Sequence, residues 1–355
     1  MASKYIALAE QTQSWILHGD AVNNSPVTNP IYLKLLTESI NTTREDFYPE
    51  TTQYWVPGKR AEGFFRTAGS FDTLVDPRQW TKVLCLFTGD PGTSGPADSA
   101  YTHIFKFGAN EVYNVNSTGV KPFTTLIGVG ILKDREIIGS VIDSLSIECV
   151  NKEVVTSTIG ILGSGWERLV SAYTPTYATQ YAQPYLTFQQ ASVVTVGVSD
   201  RLIVAPAIEA FRMTCNRGWD ADHYLLGSRF LGGNVGPMQS GMCSVEGTMD
   251  FSFTSQAEHE RFLGAINATE SGNQVSFPIQ IVLTGPNHIG AGSTHYSLTI
   301  DIPEAQYRAS TVNVSGRDRI VQSVDWMGMY NVADTCAAKF TVVNDFLATG
   351  YSSLA

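Results

Sequence analysis

In several stretches of this chain apolar and polar residues alternate one by one, the period of a strand with one buried and one wet face. In 141–149 Val141, Leu145, Ile147 and Cys149 are apolar, while Ser144, Ser146 and Glu148 between them are polar. Further on, Ser244, Glu246, Thr248, Asp250 and Ser252 oppose Val245, Met249, Phe251 and Phe253. Ser297, Thr299 and Asp301 oppose Leu298, Ile300 and Ile302, and Ser323 and Asp325 oppose Val324 and Trp326. The pattern predicts strands over 54–56, 63–75, 104–107, 123–132, 137–150 and 154–162. A second set follows over 207–216, 241–254, 277–283, 297–302 and 320–330.

Helices are few. Residues 1–50 read as an irregular arm with one short helical stretch at 31–40, among the breakers Asn23-Asn24-Ser25-Pro26 and Asn29-Pro30. A helix through about Phe87 starts at Asp76-Pro77, because aspartate suits the N-cap and proline the first helical position. Another is expected over 256–266, capped by Ser255. Glycine and proline make 89–96 a loop. A longer glycine-rich loop runs from Arg217 to Pro237, and a loop of that length inside a β domain is usually functional or an interface arm.

The pattern recurs. Gly63-Phe-Phe-Arg-Thr-Ala-Gly69-Ser-Phe-Asp72 lies over Gly241-Met-Cys-Ser-Val-Glu-Gly247-Thr-Met-Asp250, glycines and aspartate in step, at an offset of 178 residues in a chain of 355. A solenoid unit would recur every ~20 to 50 residues, so this reads as duplication of a whole domain. The copies are 51–170 and 192–345, with a linker at 171–191 that contains the Tyr- and Gln-rich run 173–185 and a tail at 346–355.

Composition narrows the chemistry. The charge of −10 opposes an electrostatic grip on nucleic acid phosphates. The five cysteines are scattered without a C-x-x-C pair, which reads as reduced core thiols and not as a disulfide framework or a zinc site. The N-terminus lacks a basic region followed by an apolar one, and no run reaches the ~18 apolar residues of a membrane span, so a soluble, unsecreted chain is expected. A P-loop, Gly-x-Ser-x-Gly and zinc-protease spacing are absent, and Gly160-Ile-Leu-Gly163-Ser-Gly165 has the wrong spacing for a dinucleotide loop. Asp220-Ala-Asp222-His223 reads as a solvated loop tip before it reads as a metal site, and Glu258-His259-Glu260 as a surface face. His103, His288 and His295 read as structural, and no carboxylate pair is singled out for hydrolysis.

The order of these motifs resembles the tail tube proteins of long-tailed siphophages. The resemblance is carried in the second half by Ala207-Ile-Glu-Ala-Phe-Arg-Met-Thr-Cys-Asn216, the long loop, Val245-Glu-Gly-Thr-Met-Asp-Phe-Ser-Phe253, a helix, Ile281-Val-Leu-Thr-Gly285, Leu298-Thr-Ile-Asp-Ile-Pro303 and Val321-Gln-Ser-Val-Asp-Trp326. In the first half Ala68-Gly-Ser-Phe-Asp72 and Asp143-Ser-Leu-Ser-Ile-Glu148 carry it, and coverage is about 50–345. It implies a mainly β fold of two tandem tail-tube-like β-sandwich domains, each with a short flanking α-helix, contributing strands to a ring-shaped β-barrel between subunits. The chain would then be a structural virion protein and not an enzyme, a major tail tube subunit assembled in the host bacterial cytoplasm. Implied partners are copies of itself in trimeric, pseudo-hexameric rings, a tape measure protein in the lumen, and terminator, distal tail and baseplate proteins. Phage DNA would pass without sticking, and no membrane, metal or cofactor is implied. Another virion ring protein, such as a terminator, baseplate hub or decoration protein, is the alternative, and an enzyme or carbohydrate-binding β-sandwich a third reading.

Alternation then nominates lumen-facing residues: Asp72, Glu148, Ser244, Glu246, Thr248, Asp250, Ser297, Thr299, Asp301, Ser323 and Asp325, with Arg66, Arg212 and Arg319 dissenting. The long loop nominates Arg217, Trp219, Asp220, Asp222 and Asn234 for contacts between subunits or rings. The first half lacks such a loop unless 42–62 serves as one.

Overall fold

The computed structural model of the chain describes residues 4–10, 28–48, 60–89, 91–97, 99–108, 120, 122–129, 133–171, 185–196, 208–233, 236–254, 256–264, 270–273, 276–290, 292–313 and 320–345. The expected strand at 54–56 and most of the run 173–185 lie outside these residues. Before residue 50, where the chain reads as irregular with a helix over 31–40, four strands form instead: β1 (Lys4–Glu10), β2 (Thr28–Leu33), β3 (Leu35–Glu38) and β4 (Asn41–Phe47). The cause is long-range. Ile6, Leu8, Leu33 and Ile40 are all buried in the main core, and burial of that kind overrides the weak local preference of a ten-residue helix.

From Ala61 the alternation becomes strand. β5 (Ala61–Leu74) runs into α1 (Pro77–Thr88), where the Arg78 amide donates to the Asp76 carboxylate at 2.8 Å and Pro77 opens the first turn. The Gly89 amide closes the helix on the Cys85 carbonyl at 2.9 Å. β6 (Gly92–Ala97) and β7 (Ala100–Phe107) form a hairpin, so much of the run read as a loop at 89–96 is an edge strand, where Pro96 is tolerated. β8 (Phe123–Val129), β9 (Asp134–Val150) and β10 (Thr156–Val170) complete the first half.

In the second half β11 (Ala191–Val196), β12 (Ile208–Asn216) and β13 (Ser244–Ser252) precede α2 (Ala257–Leu263). This helix is shorter than the expected 256–266. Its cap position is Gln256, without a side-chain bond, and Ser255 lies outside the described residues. β14 (Phe277–His288), β15 (His295–Asn313), β16 (Val321–Gly328) and β17 (Ala338–Asn344) follow.

Among the described residues, all seventeen strands belong to one open sheet. Its centre is an antiparallel run in the order β4, β5, β10, β9, β12, β13, β16, β15, with β3 continuing β4 along β5. The long strands β9 and β15 extend past this run at their N-terminal ends, β9 still paired there with β10. There β9 pairs with β8, which leads to β1 and β2, while β15 pairs with β14 and β17, which lead to β11 and to β7 and β6. One apolar core joins the central run, through Phe71, Ile147 and Met249, to Ile300 and Phe340 of the outlying strands and to Trp80 of α1.

The two halves of the central run match in register. Asp72 faces Thr158, which faces Ser146; Asp250 faces Ser323, which faces Thr311. A bulge occupies the same place in both: β9 skips Asp143 between its pairings with Gly160 and Ile161, and β15 skips Arg308 between its pairings with Asp325 and Trp326. Gly69 and Gly247, aligned in the sequence repeat, share a cause. A Cβ on Gly69 would collide with the Ser39 carbonyl, and one on Gly247 with the Arg212 carbonyl. β3 and β4 thus stand to β5 as β12 stands to β13.

Candidate functional site

The central run presents one polar face. Successive strands set Asp72, Thr158, Ser146, Thr214 and Glu246 side by side in one row, and Thr156, Glu148, Arg212, Thr248 and Asp325 in the next. Asp250 and Ser323 begin a third, and Ser244 lies beside Asn216. The opposite face holds Phe71, Leu145, Ile147, Met213, Met249 and Val324, each almost wholly buried. The period of two that marks these strands therefore sorts eight of the nominated residues, Asp72, Glu148, Ser244, Glu246, Thr248, Asp250, Ser323 and Asp325, onto one continuous surface.

Charges on this surface are partly paired. Arg212 bridges the halves, donating to Glu148 at 2.6 Å and Asp250 at 2.9 Å, and these bonds hold its guanidinium above its ordinary pKa. Ser323 donates to the other Asp250 oxygen at 2.7 Å. Thr158 donates to Asp72 at 2.6 Å, and Thr37 of β3 donates to its second oxygen. Arg308, pushed out by the bulge, lies 3.6 Å from Glu246. Five carboxylates thus share the face with Arg66, Arg212 and Arg308, and Arg66 turns to Asp222 at 3.2 Å. Arg308 has no signal in the sequence, because the register shift that exposes it is a property of the pairing. Arg319 lies outside the described residues.

Ser297, Thr299 and Asp301 are not brought to this surface. They lie on the part of β15 held between β14 and β17, and Asp301 pairs with Lys339 at 3.0 Å. The alternation there is real but belongs to the outlying strands.

The long loop folds back over its own first half. Arg217 is buried, its guanidinium donating to the Phe87 carbonyl at 2.9 and 2.5 Å and lying over the Phe87 and Phe107 rings. Trp219 donates through its indole to the Ile142 carbonyl at 3.1 Å, and its amide donates to Asp143 at 3.3 Å. Further along, the Phe65 amide donates to the Arg229 carbonyl at 2.7 Å, and Arg229 pairs with Glu62. Asp220 receives the Asp222 amide at 2.9 Å, and Asn234 lies outside the described residues. The loop leaves Asp222 and Leu226 to solvent, and Met242, just beyond it, is exposed as well.

These side chains have company at the same end of the strands. Phe47 ends β4, Leu169 nears the end of β10, and Tyr330 and Val332 follow β16; all are exposed. The antiparallel register points these ends the same way, since β5 and β13 both start toward this side of the run.

Other candidates are structural. His103 is buried between Thr93 and Asn344. Glu258, expected on a surface face, is buried instead, because α2 lies on β15 and the Tyr307 hydroxyl donates to it at 2.5 Å; burial raises its pKa. Among the described residues no group of three His, Cys, Asp or Glu is placed to hold a metal, and no helix is long and apolar enough to cross a membrane. No curated protein matches the chain. A family model described as phage tail tube protein matches residues 56–328.

Proposed function

The chain belongs to the phage tail tube protein family, which makes it a tail component of the virion, and from that premise we propose that it is the major tail tube subunit. Three copies close into a ring with pseudo-sixfold symmetry, and rings stack into the hollow tube through which DNA leaves. The halves 51–170 and 192–345, joined by 171–191, act as two tube units, with β3 and β4 completing the first.

The observation that supports this most is the eight-strand central run with one polar face and, among the described residues, an unpaired edge at either end. Open edges invite pairing, and a ring of subunits removes them. A ring whose two faces differ, one of them rimmed by Leu226, Met242 and Val332, stacks head to tail, and a heterologous contact that does not close continues as a filament. On this reading Asp72, Glu148, Ser244, Glu246, Thr248, Asp250, Ser323 and Asp325 line the lumen. Their carboxylates repel DNA phosphates, and Arg212, held between two of them, offers no free cation. A tape measure protein fills the lumen during assembly, and terminator and distal tail proteins cap the ends.

Negative-stain electron microscopy of the concentrated protein, paired with its mass in solution, tests this. Hollow striated filaments built from rings of three chains are expected. Closed rings that never stack, even when seeded with tail tips, would refute a tube subunit.

A further inference from the structure

β9 and β12 come from different halves of the chain, yet pair from Val150 opposite Ala210 to Ser144 opposite Asn216. The free edges of the central run are the counterparts of these two strands. Beyond Tyr307 the outer edge of β15 pairs with no strand among the described residues, and neither does the outer edge of β3 and β4. Ser144 corresponds to Ala309, since each follows its bulge and faces Gly160 or Asp325. Asn216 corresponds to Thr43, since each faces one of the aligned residues Ser244 and Arg66.

Resting on the tube reading above, we propose that β15 of one subunit pairs antiparallel with β3 and β4 of a second copy in the register of this internal seam. Ala309 then lies opposite Thr43, Thr311 opposite Asn41 and Asn313 opposite Ser39.

Two further features fit that register. At the internal seam the bulge is satisfied from across it, the Arg217 amide donating to the Asp143 carbonyl at 2.8 Å. The corresponding donor and acceptor between subunits are the Arg44 amide and the Arg308 carbonyl. An open groove between α2 and β15 is also lined by Phe253, Gln256, His259, Ser310, Thr311 and Val312. The corresponding flank of β9, at Leu145 and Ile147, is fully buried where β12 brings Cys215 and Met213 opposite them.

The test is a paired-cysteine variant, Asn41→Cys with Thr311→Cys, oxidised at high concentration and run without reductant. Directly opposed residues have Cβ atoms about 4.5–5.5 Å apart, close enough for a disulfide after small adjustment, whereas diagonal neighbours at about 7–8 Å are not. Linked dimers and a closed linked trimer are expected, at least about tenfold more abundant than for the off-register pair Thr43→Cys with Thr311→Cys. The parent protein reports any linkage through its own half-exposed Cys149 and Cys243. If the first pair impairs folding, Thr43→Cys with Ala309→Cys carries the same test. Unlinked monomers, or linkage of the off-register pair in preference, would overturn the seam. Hollow filaments without in-register links would overturn the seam and leave the tube reading standing. Linked trimers that never form filaments would support the seam and count against the tube.

Discussion

Single residues on the polar face carry different duties. Asp250 and Glu148 are tied to Arg212, so changing either disturbs a structural bridge between the halves. Glu246 and Asp325 are the more exposed carboxylates, and are the better probes of the field inside a tube. Glu246→Lys with Asp325→Lys should leave filament formation intact and slow DNA release from assembled phage on the order of tenfold, because phosphates would then meet fixed cations. Time-resolved release of dye-bound DNA measures it, and an unchanged rate would remove these residues from the lumen. Gly69 and Gly247 show the converse case. They are set by the backbone of the neighbouring strand and by no chemistry of their own.

At the scale of an element, α1 is the most deeply placed helix, and its cap is its weak point. The second oxygen of Asp76 is buried without a hydrogen-bond partner, and burial pushes this carboxyl from its ordinary 3.8 up to about 6. The folded chain therefore holds this proton more tightly than the unfolded chain. Its contribution is fully present below the unfolded value and is lost as pH rises from about 4 to about 6, by up to about 3 kcal/mol. Asp76→Asn keeps the cap, because asparagine caps as well as aspartate. Thermal midpoints of this variant should match the parent near pH 4 and exceed it near pH 7. Equal midpoints at both would mean that Asp76 is ionised in the fold at little cost.

For the whole molecule, the concentration of exposed apolar side chains at one end of the strands should decide stacking. Leu226→Asp with Met242→Asp should abolish filaments while leaving the mass of the ring and the melting temperature unchanged, since neither side chain is packed in the monomer. Sedimentation velocity and microscopy of one sample separate these outcomes, and persistent filaments would place the stacking contact elsewhere.

Much of this protein is legible in the order of its amino acids. Alternation locates the strands of the central run and sorts eight polar residues onto one face, because the period of a strand is a local property. The cap at Asp76 and Pro77 and the repeated glycines are legible for the same reason. Partners in space are not. The helix expected at 31–40 is sheet because Leu33 and Ile40 are buried among residues far away in sequence, and Ser297, Thr299 and Asp301 alternate correctly but lie between the outlying strands β14 and β17. β17 alternates as well as any strand, yet only its place between β15 and β7 makes it one. The inward turn of Arg217 and Trp219, the bulge that exposes Arg308 and the pairing of β9 with β12 all depend on register. Register is settled by which faces can be buried together, and only the folded chain brings those faces into contact.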